Sequence, residues 1–154
     1  MRVVWIVLWM TALAMAQKYS GPRPAKADVP YLKHASNLIA TEEGEAKEEK
    51  GKKDDITYVI AGASSSAKTP LASPIFLMVR EKLSPESLQL FKLETRNGHR
   101  ELTVSPKKPG KAIRMTVTKL ADALYQLEVA DSLEAGEYSL SPNDSNKVFC
   151  FQVF

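Results

Sequence analysis

This sequence has little of what redox, metal or disulfide chemistry requires. It holds one cysteine, Cys150, and two histidines, His34 and His99. One cysteine cannot form an internal bridge, so the fold is not a disulfide-stapled miniprotein, and no C-x-x-C or H-x-x-x-H spacing suggests a zinc site. Seven glycines and nine prolines among 154 residues exclude a collagen repeat. No segment after residue 16 reaches the length of apolar chain that crosses a bilayer as a helix, about 20 residues. A glycine-rich phosphate loop is missing, and a net charge of +3 is too small to argue a nucleic-acid partner from the total. No motif points to a cofactor. What remains is an ordinary globular composition, 44% hydrophobic and 25% charged, sufficient for one domain with its own core.

The N-terminus has the three-part layout of a secretory signal peptide. Met1-Arg2 is a short basic start, Val3 to Leu13 is apolar but for Thr11, and Ala14-Met15-Ala16 places small residues at both positions a signal peptidase reads. The run is too short for a membrane anchor, and Gln17-Lys18 follow at once. The expected mature chain begins at Gln17, lies in the periplasm or outside the cell, and carries no membrane span. Both tryptophans, Trp5 and Trp9, leave with the signal.

Residues 17–55 read as a polar lead-in, extended or partly disordered. Pro22, Pro24 and Pro30 break its first part, where Tyr31-Leu32 offers a docking point. Residues 42–55 hold seven acids and four lysines with nothing apolar larger than Ala46. Glu43/Lys47, Glu48/Lys52 and Glu49/Lys53 have helix-pair spacing, but Gly44 and Gly51 oppose a helix. The alternative is a charged hairpin turning at Gly51-Lys52-Lys53. Either form is expected to be solvated.

From residue 56 to 154 the texture becomes that of strands. β-Branched and aromatic runs at 56–61, 74–80, 88–95, 99–104, 112–118, 123–130, 136–141 and 147–153 alternate with turn residues. Leu120–Leu124 permits one helical turn and no more. Short strands so closely spaced predict an all-β, antiparallel sandwich of seven or eight strands, of immunoglobulin-like or fibronectin-like type. Asn97-Gly98 predicts a type I′ hairpin. Counting outward sets Glu94 opposite Glu101 and Thr95 opposite Arg100, with Phe91, Leu93, Leu102 and Val104 on one face. Near the end, Leu133-Glu134-Ala135-Gly136-Glu137-Tyr138-Ser139-Leu140 matches a tyrosine corner, in which Tyr138 bonds back to the backbone and Leu140 enters the core. The last strand, Val148–Val153, is apolar on both faces apart from Gln152, which places it inside a sheet with Cys150 as a small buried hydrophobe.

The chain resembles small, uncharacterised exported β-sandwich (immunoglobulin-like) proteins of environmental bacteria. The similar parts are D-V-P-Y-L from Asp28, Y-V-I-A-G-A-S-S from Tyr58, P-x-x-L-x-L-F-K-L from Pro85, and G-E-Y-S-L followed by F-C-F up to Phe151. The resemblance implies fold and export, and no chemistry.

Candidate chemistry is thin. Ser65-Ser66-Ala67-Lys68 has the S-x-x-K spacing of penicillin-binding proteins but lacks their helix and partner motifs, so it reads as a serine-rich loop. A small envelope hydrolase would need two strand-borne acids, such as Glu94 with Glu128. The remaining feature is charge: residues 92–119 carry eight Lys/Arg against two acids. Lys92, Arg96, Arg100, Lys107, Lys108, Lys111 and Arg114 form a candidate anion-binding patch, provided that Lys92, Arg96 and Arg114 share an outer face. The resulting expectation is a non-catalytic binding or structural module of the cell envelope. Its partner is an anionic glycan, a lipid or another envelope protein, such as the rest of a secretion assembly. The first test is processing: the mass of the exported protein should correspond to a chain starting at Gln17, and a mature species retaining Trp5 and Trp9 would rule the signal peptide out.

Overall fold

A computed structural model describes residues 18–154; the expected signal peptide, residues 1–16, lies outside them. Thirteen strands run through the described residues: β1 (Tyr31–His34), β2 (Asn37–Ala40), β3 (Glu42–Glu45), β4 (Lys47–Lys50), β5 (Ile56–Ile60), β6 (Lys68–Thr69), β7 (Ile75–Val79), β8 (Leu88–Arg96), β9 (His99–Val104), β10 (Met115–Ala121), β11 (Leu124–Val129), β12 (Gly136–Pro142) and β13 (Lys147–Val153). The helical content among them is one 3-10 turn at Pro85–Ser87. The fold is all-β.

The strands form two sheets. The first has the order β10-β11-β7-β1-β2, and the second β3-β13-β12-β8-β9-β5-β4, with the short β6 parallel to the end of β13. All other pairings between strands are antiparallel. The facing sides of the two sheets share one core. Leu32, Phe76, Met78 and Leu127 come from the first sheet, and Leu90, Tyr138, Leu140, Phe149 and Phe151 from the second. Phe151 stacks on Tyr138 at 5.5 Å and meets Phe76 edge-on at 5.0 Å, which carries the aromatic contact across the two sheets. Alternation of side chains along β12 and β13 sends the next residues in register, Ser139 and Cys150, to the opposite side of the second sheet.

That opposite side is concave. Strand β8 pairs with β12 through Leu88–Leu93 and with β9 through Glu94–Arg96, so one long strand turns the sheet through its bend. The two edge strands, β3 and β4, are separated in the chain by Ala46 alone, whose N–H donates to Asn146 O at 2.7 Å. The second sheet is thereby curled into a half-barrel, and Ala46, Ile60, Leu93, Val148 and Cys150 form a smaller core inside it.

The lead-in is more regular than an extended tail. Residues 31–50 are four strands, and β4 pairs with β5 across Gly51-Lys52-Lys53 as the charged hairpin that the sequence offered beside a helix. Leu32 is buried and Tyr31 packs against the main core. Asp28 fastens the entry: its carboxylate accepts the N–H groups of Glu81, Lys82 and Leu83 at 2.8–3.0 Å. Burial acts to raise that carboxyl, and the three backbone donors outweigh it to hold it below the ordinary aspartate range. The charged segment 42–50 has strand form because the free edges of β13 and β5 satisfy its backbone, while nearly all of its charged side chains stay in water. The turn at 51–55 then leads into β5, with Lys53 and Asp54 at φ 58° and 64°. The helical turn allowed at 120–124 is instead the tail of β10 and a tight turn, with Ala123 at φ 57°.

The hairpin between β8 and β9 has the expected register, Glu94↔Glu101, Thr95↔Arg100 and Arg96↔His99, with Asn97 and Gly98 both at positive φ. The Tyr138 hydroxyl donates to the Glu134 carbonyl at 2.8 Å. Leu140 has no exposed surface. Replacing it by alanine is expected to destabilise the fold by about 2–5 kcal/mol through the cavity left behind, and Tyr138→Phe by about 1 kcal/mol for one hydrogen bond. Urea melts of both variants check this, and a neutral Leu140→Ala would contradict the shared core.

Candidate functional site

The concave side of the half-barrel bounds an open cavity of about 1110 Å³. One wall comes from β5 and β9, where Tyr58 pairs with Leu102 and Ile56 with Val104, all lining the space. The bend strand β8 adds Phe91 and Leu93. The wall from β12 is polar: Ser139 stands opposite Phe91, and Ser141 opposite Gln89. Three turns ring the mouth, contributing Asp54, then Ser105, Pro106, Pro109 and Gly110, then Asn143 to Asn146. Gly110 passes so close over the wall that a Cβ there would lie 2.9 Å from Val104 Cγ1 and 3.5 Å from Phe91 Cε1. The 105–111 loop thus rests on the apolar side only because that residue has no side chain.

The opposite end of the half-barrel, where β5 finishes, is sealed by a buried ion network. Arg100, 1% exposed, follows Leu102 and Val104 in the inward alternation. Its Nη2 donates to Glu42 Oε1 at 2.7 Å and to Ala61 O at 2.6 Å, its Nε to Gly62 O at 2.8 Å, and its Nη1 to Ser65 Oγ at 2.8 Å. Ser65 passes the contact on, its Oγ donating to Glu137 Oε2 at 2.7 Å and its N–H to the same carboxylate. Ser66 N–H completes Glu42 at 2.7 Å. The serine-rich loop therefore plugs the half-barrel, and Ser65 relays hydrogen bonds between Arg100 and Glu137. No buried side-chain polar atom among the described residues lacks a partner. Burial pushes the neighbouring Cys150 thiol up to about 12, against a smaller lowering effect from Arg100, so it stays protonated.

The seven cations of the proposed patch are dispersed. Arg100 is not on the surface at all, which corrects its inclusion in an anion-binding face: its position in the inward alternation puts it inside. Lys92 pairs with Glu134 at 2.7 Å, and Arg96 with Glu94 and Glu101 at 3.1 and 3.4 Å. Lys92 shares its side of β8 with Leu88 and Leu90, which turn toward the first sheet. Arg114 is exposed where the chain passes from Ile113, bridged to Leu90 of β8, into β10 at Met115. Lys107, Lys108 and Lys111 remain together, exposed on the loop beside the mouth. Glu94 and Glu128 lie in different sheets, the latter bonded by Gln126, so the structure does not assemble this acid pair. Among the described residues no cluster of His, Cys, Asp and Glu is placed to hold a metal, and no helix is long and apolar enough to cross a membrane.

Comparison with known proteins finds no matching family model, no matching curated protein and no matching solved structure.

The sealing network has a pH signature. Burial acts to raise the Glu42 carboxyl, but Arg100 and Ser66 together hold it below the ordinary glutamate range. A depressed carboxylate contributes stability that is present above its unfolded pKa and lost as pH falls through its folded one. Urea midpoints measured from about pH 7 down to about pH 3 should fall on the acid side. Glu42→Gln should lower the neutral plateau and flatten that acid limb. An acid limb unchanged in Glu42→Gln would show that other carboxylates govern it.

Proposed function

We propose that this chain is an exported, non-catalytic binding module of the cell envelope, and that its ligand occupies the cavity of the half-barrel. The observation that carries the proposal is an open, partly apolar pocket of about 1110 Å³ on the inside of the half-barrel. It is slightly larger than an ordinary ligand pocket, about 300–1,000 Å³. A side of the sheet bearing Tyr58, Phe91, Leu102 and Val104, none of them fully buried, has apolar surface to offer a ligand.

Within this reading the fold is an immunoglobulin-like sandwich. Support comes from the Tyr138–Glu134 hydrogen bond at the corner and from the core shared by the two sheets. The anionic partner suggested by the run of cations now draws support from Lys107, Lys108 and Lys111 alone. Lys92 and Arg96 have acidic partners, and Arg100 is buried.

A neutral, polarity-sensitive dye tests the cavity. It should gain fluorescence on the folded protein and lose affinity about tenfold or more when Ser141→Trp or Val104→Trp fills the space from either wall. Melting temperatures confirm that each variant folds. Dye binding that survives both substitutions would place the apolar site elsewhere and remove the basis of the proposal.

A further inference from the structure

The two sides of the cavity differ in kind. One is the apolar surface of β5 and β9, with the Tyr58 ring upon it; the other carries Ser139, Ser141 and Gln89, continued at the mouth by Asn143 and Asn146. Hydroxyl and amide side chains both donate and accept hydrogen bonds, which suits partners that also do both. A wholly apolar ligand pressed against that wall would strip water from these groups and return nothing for it. A ligand that is apolar on one face and hydroxylated around its edge leaves neither wall unmatched. Pyranose rings have this construction: C–H groups on the faces and hydroxyls at the perimeter.

Charge narrows the class further. The groups lining the mouth include the carboxylates Glu48, Asp54 and Asp144 and no lysine or arginine, which disfavours an anionic ligand in direct contact. These carboxylates are exposed, and so are Lys107, Lys108 and Lys111 on the loop beside them and Lys50 and Lys53 near Glu48 and Asp54. Charges of both signs around the mouth leave no strong attraction for an ion of either sign. We infer that the half-barrel cavity binds a neutral saccharide, with ring faces against Tyr58 and the aliphatic wall and hydroxyls toward Ser141, Gln89, Asn143 and Asn146. This inference rests on the cavity being the ligand site and assigns the ligand's chemical class.

The experiment is titration calorimetry of the mature chain with short neutral glucans, mannans, galactans and xylans. Oligomers of uronic acid and of glucosamine serve as the charged counterparts, and the neutral dye is run as a competitor. The expected result is that at least one neutral oligosaccharide binds, displaces the dye, and exceeds both charged series in affinity. Gln89→Ala and Asn146→Ala should each weaken that saccharide about tenfold while shifting dye affinity by no more than about twofold. Dye binding without any neutral saccharide, or tighter binding of a charged series, overturns the saccharide assignment and leaves the cavity reading standing. Loss of both dye and saccharide binding overturns the cavity reading with it.

Discussion

The half-barrel depends on one buried cation. Arg100 is held at once by Glu42 at the start of β3, by the carbonyls of residues 61 and 62, and by Ser65, which in turn holds Glu137 on β12. These contacts join strands from both ends of the curled sheet and the loop that closes it. A buried ion pair of this type contributes little net stability compared with a well-packed apolar substitute, because both charges have left water. Its value is geometric. The planar guanidinium has donors in fixed directions, and they are matched by acceptors from two separate pieces of chain, the 61–65 loop and β3. A leucine in its place would fill volume without specifying where residues 42 and 65 belong.

Sealing one end in this way separates two jobs that a fully filled all-β core would merge. The main core, between the sheets, is dry and aromatic, and it carries the stability. The inside of the half-barrel is only partly filled: Leu93, Val148 and Cys150 lie buried deep within it, while Phe91 and Leu102 remain partly exposed nearer the mouth. Strand β12 shows the division residue by residue. Tyr138 and Leu140 face the dry core, and Ser139 and Ser141 face the cavity. Small polar residues at these two inward positions leave space where valine or leucine would have closed it.

Much of the strand pattern was legible because alternation and turn chemistry are local. The strands at 99–104 and 147–153 stand where the sequence places them, and the Asn97-Gly98 turn sets the hairpin register. The same alternation carried information that a count of charges overrode. Arg100 has the parity of Leu102 and Val104, the inward parity, and a lone arginine on an apolar face is a signal for a buried ion pair. Its partner Glu42 was hidden in a charged stretch with no apolar periodicity. Residues 42–50 become a strand through the edges offered by β13 and β5, which no local pattern records. The cavity was illegible for a related reason: it arises from the bend of β8 between two neighbours, and from what Ser139 and Ser141 do not fill.

The junction at Ala46 bears on the order in which the chain can assemble. β3 is among the first strands made, and its partner β13 is the last. Pairings this distant in sequence close late, and an unpaired edge that waits is a site for association with other chains. The part that waits for β13, Glu42–Glu45, holds three glutamates and no apolar residue, whereas β4 pairs with the nearby β5. The glutamates of β3 keep it dispersed in water until β13 is available. On this view the charge of β3 serves twice, first keeping an unpaired edge apart from other chains and then, through Glu42, holding Arg100.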